Sequence, residues 1–335
     1  MPGAPTPSAH PYDALTPDLI LDAVEQGGYR CDGRLLALNS FENRVYQVGL
    51  EEGAALVVKF YRPARWSAAA ILEEHAFAQE LSAAELPVVA PLADRSGATL
   101  HERGGFVFAL YPRQRGRAPE LDRDDTLEWM GRFIGRIHAV GGLRPFAHRP
   151  ALDISSFGEE PSAFLLEHQF IPADLLPAYE SLLQQVLARI RACFSRAGAV
   201  RSIRLHGDCH AGNVLWDADG PHFVDLDDAR SGPAVQDLWM LLSGSREAMQ
   251  VQLSVVLRGY REFRDFDPRE LHLIEALRTL RLIHYAAWLA RRWDDPTFPM
   301  NFPWFNTQRY WQDHILALRE QSAAMEEPPL EMERD

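Results

Sequence analysis

The sequence contains one lysine. Of its 34 basic residues, every one except Lys59 is an arginine. Cysteine is scarce too: Cys31, Cys193 and Cys209 are odd in number and far apart, which excludes a disulfide framework and fits reduced thiols in a cytoplasmic protein. No apolar run approaches the roughly 18–20 residues of a membrane span. The opening stretch MPGAPTPSAHPYDAL has neither a basic nor an apolar segment, so no signal peptide is expected. Positive charge is in deficit, with a formal net charge of -13, which argues against nucleic acid or an anionic membrane as partner. Where bare positive charge would suffice this chain uses arginine, so its one lysine marks a place where a compact ammonium is needed and a planar fork is not tolerated.

What is present is a chain of 335 residues, 47% hydrophobic and 24% charged, long enough for two lobes with separate cores. Residues 1–12, rich in Pro and Ala, are expected to be a disordered tail. A helix is predicted over 16–26, closed by Gly27 and Gly28. Three strand-like runs follow, RLLALNS, RVYQVGL and ALVVKFY, the last two separated by a turn at Glu51, Glu52 and Gly53. A helix over 67–84 with Ser67 as its cap comes next, then strands at VVAPLAD, 98–101 and GFVFALY. This makes 13–110 a small β-rich lobe with one helix. Residues 111–118 read as a linker, 119–325 as a helical lobe and 326–335 as an acidic, solvated tail. Within the helical lobe, periodicity predicts helices over 127–140, 174–197, 235–243, 248–263, 268–293 and 307–324. A loop and two short strands, NVLW and HFVDL, interrupt them between 203 and 228. The fold class is therefore α+β and bilobal, with a small β-rich N-lobe and a larger helical C-lobe.

The segment HGDCHAGN at 206–213 places Asp208 five positions before Asn213, and Asp225 ends the strand HFVDL. Lys59 lies in the strand ALVVKFY, and Glu73 and Glu74 lie on the next helix. Phosphoryl transfer asks a protein mainly for positioning and for neutralisation of phosphate charge. A loop carboxylate, Asp208, can orient an acceptor hydroxyl. Mg²⁺ takes hard oxygen ligands, which Asn213 and Asp225 can supply. A strand lysine fixed by a helix glutamate can reach ATP phosphates. Asp-x4-Asn by itself is most often a turn; the order lysine, helix glutamate, Asp-x4-Asn and strand-end Asp is what gives it chemical meaning. A competing reading takes His206, Asp208 and His210 as a hydrolase metal site, but His168 and His222, the nearest other histidines, have no ligand spacing. His206 reads instead as a buried residue holding the loop by hydrogen bonds, and Cys209 as a packed one.

At these residues the chain resembles the aminoglycoside phosphotransferase/choline kinase superfamily, and especially its stress response kinase A group of bacterial Ser/Thr protein kinases. The closer likeness is carried by LNSFENRVYQV, VVKFYRPARWS, LHGDCHAGNVLW and FVDLDDARSGPAVQDLWMLL. The resemblance implies a kinase-like fold with Asp208 as catalytic base, Asn213 and Asp225 as magnesium ligands, and Lys59 as the ATP-phosphate lysine. It makes Glu74 the partner of Lys59, with Glu73 as fallback. It implies a hinge over 109–113, including Ala109 and Tyr111, that pairs with adenine through backbone groups, and an Asp237 that ties down the catalytic loop. The phosphate loop NSFEN, from 39 to 43, lacks glycine, so Ser40 and Asn43 are taken to contribute side chains there, Ser40 also being a candidate autophosphorylation site, while Glu42 stabilises the loop. Only 11 residues separate Asp225 from Asp237, too few for a phosphorylation-switched activation segment. The expected reaction is ATP-dependent transfer to a hydroxyl, of protein Ser/Thr or alternatively of an amino alcohol, sugar or antibiotic, by a monomer.

Overall fold

The computed structural model describes residues 12–332. The tail expected over 1–12 lies outside these residues except for Tyr12, which is buried and stacks on Phe106. Helix α1 (Pro17–Gln26) starts at a Thr16 cap whose hydroxyl accepts from Leu19 N–H. Strands β1 (Cys31–Ala37), β2 (Arg44–Leu50) and β3 (Leu56–Phe60) follow, then α2 (Ala68–Ala83), β4 (His101–Arg103) and β5 (Phe106–Pro112). The sheet order is β1-β2-β3-β5-β4 and every pairing is antiparallel. Its apolar face packs on α1 through Val24, Val48, Val58, Phe60, Phe106 and Phe108, which form a core separate from that of the rest of the chain.

The strand expected at VVAPLAD is not a strand of this sheet. Pro87 and Pro91 have no N–H to give a ladder, and the segment runs extended between the lobes. Val89 N–H donates to Phe223 C=O at 2.9 Å and Leu92 N–H to Leu110 C=O at 2.7 Å. The expected linker likewise begins one strand-end too early, because Tyr111 and Pro112 still belong to β5.

Beyond β5 come α3 (Asp124–Gly141), α4 (Glu160–Glu167), α5 (Leu176–Ala197), β6 (Ile203–Leu205), β7 (Val214–Asp217), β8 (Gly220–Phe223), β9 (Arg230–Gly232), α6 (Val235–Trp239), α7 (Arg246–Tyr260), α8 (Ile274–Ala290), α9 (Thr297–Asn301) and α10 (Gln308–Ala324). The helix expected over 268–293 splits into a 3-10 stretch, Pro268–Leu273, and α8. Helices α4 and α9, too short for periodicity to register, have no counterpart in the sequence reading. Residues 326–332 are docked and not free in solvent: Leu330 is buried and Arg246 donates to Pro329 C=O. Gln250 Nε2 donates to Glu331 C=O at 2.6 Å. The helical lobe closes around one large core that includes Trp311, Tyr179, Tyr260 and Phe223.

Candidate functional site

The antiparallel strand pair β6 with β9, and the hairpin β7–β8 that lies between them in the chain, bring the acidic residues together. β7 pairs with β8 so that Val214 faces Phe223, and one position further on Val224 N–H donates to Asn213 C=O at 3.0 Å. Asn213 and Asp225 are thereby neighbours at the open end of that hairpin. β6 pairs with β9, with Leu205 opposite Arg230, and the loop 206–213 springs from its end. Asn213 closes the loop: its Nδ2 donates to Asp208 C=O at 2.9 Å and lies 3.4 Å from Asp208 Oδ2. With its amide nitrogen so engaged, the amide oxygen of Asn213 is left as an acceptor. Asp225 has left-handed backbone angles (φ 60°, ψ 62°), a conformation Asp tolerates better than most residues. This kink turns the Asp225 carboxylate outward, 55% exposed.

Lys59 crosses from the sheet to meet these acids. Its Nζ lies 2.9 Å from Asp225 Oδ1 and 3.2 Å from Asp227 Oδ1, with the lysine side chain 8% exposed. Burial by itself would push the ammonium pKa down, but the Asp225, Asp227 and Glu74 carboxylates hold it well above its usual value. The pairing differs from expectation. Glu74 acts on Lys59 only through its field; its contact partner is Arg149 at 3.5 Å. Burial pushes the Glu74 carboxyl up to about 7, against the pull of Lys59. Glu73 is not the partner either. Its carboxylate accepts the backbone N–H groups of Ala147, His148 and Arg149 at 2.6, 2.8 and 2.9 Å. The consequence is ordered: Glu73 fixes the loop, and the loop inserts Arg149. That guanidinium stacks 4.4 Å over Trp66 and donates to Ala229 C=O and Asp227 C=O.

Asp227, Arg65, Arg149 and Arg281 were absent from the sequence reading. Arg65 spans Asp227 and Asp228, the second at 2.9 Å, and Arg230 also reaches Asp228 at 2.8 Å. Burial raises the Asp227 and Asp228 carboxyls, yet Arg65 with its cationic neighbours keeps both well below the usual range. The acidic run DLDD was the available signal for Asp227; one arginine among many carried none.

The loop 206–213 is held from beneath. Asp237 accepts from His206 N–H and Gly207 N–H, both at 2.9 Å, and from His138 Nε2 at 2.9 Å. The His206 ring is buried with Nε2 on Val224 C=O at 3.0 Å, and Cys209 is buried. Among the described residues no group of three or more His, Cys, Asp or Glu is placed to hold a metal ion, so the hydrolase reading of His206, Asp208 and His210 finds no support. Gly207 has φ 85°, and a Cβ there would collide with Asp228 C=O. Asp208 therefore projects from a rigid base. Its Oδ1 lies 2.6 Å from Arg281 Nη1 on α8 and its Oδ2 lies 3.4 Å from His210 Nε2. Burial would raise the Asp208 carboxyl, but His210 and Arg281 hold it well below the carboxylate range.

Of the remaining predicted residues, Ala109 stands opposite Lys59 in the sheet. Tyr61 N–H bonds Val107 C=O at 3.0 Å, and ladder alternation then makes Lys59–Ala109 and Val57–Tyr111 the hydrogen-bonded pairs. The backbone groups of Ala109 and Tyr111 are thus used within the sheet and not free for adenine, and the Tyr111 hydroxyl lies 3.0 Å from that of Tyr61. Ser40 Oγ donates to Asn43 C=O at 3.2 Å and closes the loop, while Asn43 Oδ1 accepts from Arg62 N–H at 3.0 Å and ties the loop to the residues after β3. Glu42 accepts from Trp288 Nε1 at 2.6 Å and pairs with Arg292 at 2.7 Å, anchoring the loop to the end of α8.

The chain is 47% identical over 325 residues to stress response kinase A of Escherichia coli (strain K12), covering 97% of this chain and 98% of that one. It is 45% identical, over the same shares, to serine/threonine protein kinase RdoA of Salmonella typhimurium. Among solved structures it shares its fold with the amicoumacin kinase hAmiN, in complex with AMP-PNP, Ca²⁺ and Ami (TM-score 0.69, 20% identity, 92% of this chain and 93% of that one). The microcompartment-associated aminopropanol kinase is similar to the same degree (TM-score 0.68, 17% identity, 92% and 97%). These neighbours establish a kinase-like, two-lobed α+β fold. Residues 34–274 match the phosphotransferase enzyme family, and this chain belongs to that family.

Proposed function

We propose that this protein transfers the γ-phosphate of Mg-ATP to a Ser or Thr hydroxyl of a protein. The observation that carries the reading is the meeting of Lys59, from the sheet, with the Asp225–Asn213–Asp208 cluster of the helical lobe. The name of one nearly full-length relative, serine/threonine protein kinase RdoA, supports the Ser/Thr acceptor.

Lys59 would bear on the nucleotide phosphates, its ammonium charged at all relevant pH because the surrounding carboxylates hold it so. The outward carboxylate of Asp225 and the amide oxygen of Asn213 form a hard-oxygen pair of the kind Mg²⁺ accepts beside phosphate oxygens. When bound there, the ion would neutralise the developing phosphate charge. Asp208 is the catalytic residue for the acceptor: it orients the hydroxyl and takes its proton as the oxygen attacks phosphorus and the bond to ADP breaks. Its base is rigid because Asp237 holds the preceding backbone. Between Asp225 and Asp237 the chain is used up by a 3-10 turn (Leu226–Asp228), β9 and the start of α6. Activity should therefore need no upstream kinase.

The test is incubation of purified protein with labelled Mg-ATP, protein substrates and a panel of small alcohols. Label in Ser or Thr is expected. Asp208→Ala should lower turnover about 100- to 10,000-fold, the usual range for a lost acid–base group, while ATP affinity stays within about threefold. Near-normal turnover in that variant would overturn the assignment.

A further inference from the structure

One stripe of α8 joins the two ends of the transfer site. Arg281, Tyr285, Trp288 and, just past the helix end, Arg292 recur at i, i+4, i+7 and i+11, which is a single helical face. At one end Arg281 contacts Asp208 at 2.6 Å. At the other, Trp288 and Arg292 hold Glu42 of the phosphate loop. The acceptor hydroxyl must lie between these ends, beside Asp208, so whatever surrounds that hydroxyl in the acceptor meets Arg281 and Tyr285 first. Both are open to it: the Arg281 side chain is 40% exposed and Tyr285, stacked on Trp288, is 39% exposed. His210, 42% exposed, lies on the other side of Asp208. The two carboxylates that touch the stripe, Asp208 and Glu42, are each held in an ion pair at one of its ends. The acids of the site, Asp225, Asp227 and Asp228, are paired with Lys59, Arg65 and Arg230 on the nucleotide side.

From this we infer that Arg281 is a specificity-determining residue that selects acceptors carrying a carboxylate beside the reactive hydroxyl, that is, Ser or Thr in an acidic peptide, and rejects cationic amino alcohols. The inference rests on the proposed protein-kinase reading and narrows it. In the free protein the Arg281 guanidinium is ion-paired with Asp208. An acceptor carboxylate offers it a second anion and draws it aside, leaving the Asp208 oxygen to the hydroxyl. A cationic acceptor would instead add a like charge at this point.

The experiment compares two serine peptides of equal length, one flanked by Asp and Glu and one by Arg, together with an amino alcohol, in wild type, Arg281→Gln and Arg281→Glu. The wild type is expected to favour the acidic peptide about tenfold in kcat/KM, as expected of one partly exposed charge, and less so at high salt. Arg281→Gln should flatten the ratio and Arg281→Glu should invert it. Because the ratio is taken within each variant, a general loss of activity does not disturb it. Equal use of both peptides, or a preference that survives Arg281→Glu, overturns the inference while leaving the protein-kinase reading intact. Label confined to the amino alcohol overturns both.

Discussion

Lys59 shows how a single ammonium can serve where 33 other basic residues could not, since every one of those is an arginine. Two carboxylates approach its Nζ from one side, and its stem is walled by the sheet, with Nζ 5.3 Å from the Tyr61 ring centroid. A guanidinium would bring five N–H groups and a wider plane into that space. Lys59→Arg is therefore expected to lower kcat at least tenfold and to destabilise the fold by about 1–3 kcal/mol through overpacking. Steady-state kinetics and thermal unfolding check the two effects separately; an active, fully stable Lys59→Arg protein would show that the site is roomier than the structure indicates.

At the scale of elements, short antiparallel strand pairs do what long helices cannot. β6–β9 and β7–β8 turn the chain sharply enough to place Asp208, Asn213 and Asp225 within one loop cluster, and Gly207 lets the loop pass close beneath Asp228. Gly207→Ala leaves every proposed chemical group in place yet forces a β-carbon into the Asp228 carbonyl oxygen. It should destabilise by about 1–3 kcal/mol and reduce turnover, with ATP affinity less affected. Wild-type turnover in this variant would mean that the loop has slack that its hydrogen bonds to Asp237 do not suggest.

Across the whole molecule, buried titratable groups set the pH range of stability. Burial lowers His75 to about 3, His284 to about 3 and His314 to about 4. The unfolded chain takes up protons at these positions as pH falls below about 6.5 while the folded chain does not, so stability drops on acidification. Burial raises the Glu270 carboxyl to about 7, although it accepts Val235 N–H at the start of α6. Here the unfolded chain loses its proton first, so stability drops as pH rises from about 4.5 to about 7. The Glu74 carboxyl, also raised to about 7, acts in the same sense, but three imidazoles outweigh two carboxyls on the acid side, so melting temperature should peak close to neutral pH. Glu270→Gln keeps an acceptor for Val235 and removes the ionisation. Its melting temperature should therefore gain on the wild type at pH 8 relative to pH 5, and a parallel profile would refute the assignment. The two lobes are also clasped at Arg44–Thr297 (2.9 Å), Arg62–Asp295 (2.9 Å) and Glu42–Arg292 (2.7 Å). Glu42→Gln should thus lower the melting temperature and raise KM for ATP.

The sequence by itself determined what depends on order along the chain. A β-rich lobe precedes a helical one; Asp208 and Asn213 fall on a loop and Asp225 just past a strand that ends at Phe223; and the one lysine lies on a strand, because alternation, helical period and turn residues are local signals. Only the tertiary structure decided which charges meet. Adjacent glutamates on α2 are separated by about 100° around the helix, which sent Glu73 to the backbone of 147–149 and Glu74 to Arg149, and left Lys59 to Asp225 and Asp227. No local pattern distinguishes Arg65, Arg149 and Arg281 from the other arginines. Their roles follow from long-range packing that brings residues 65 and 227, 74 and 149, and 208 and 281 together.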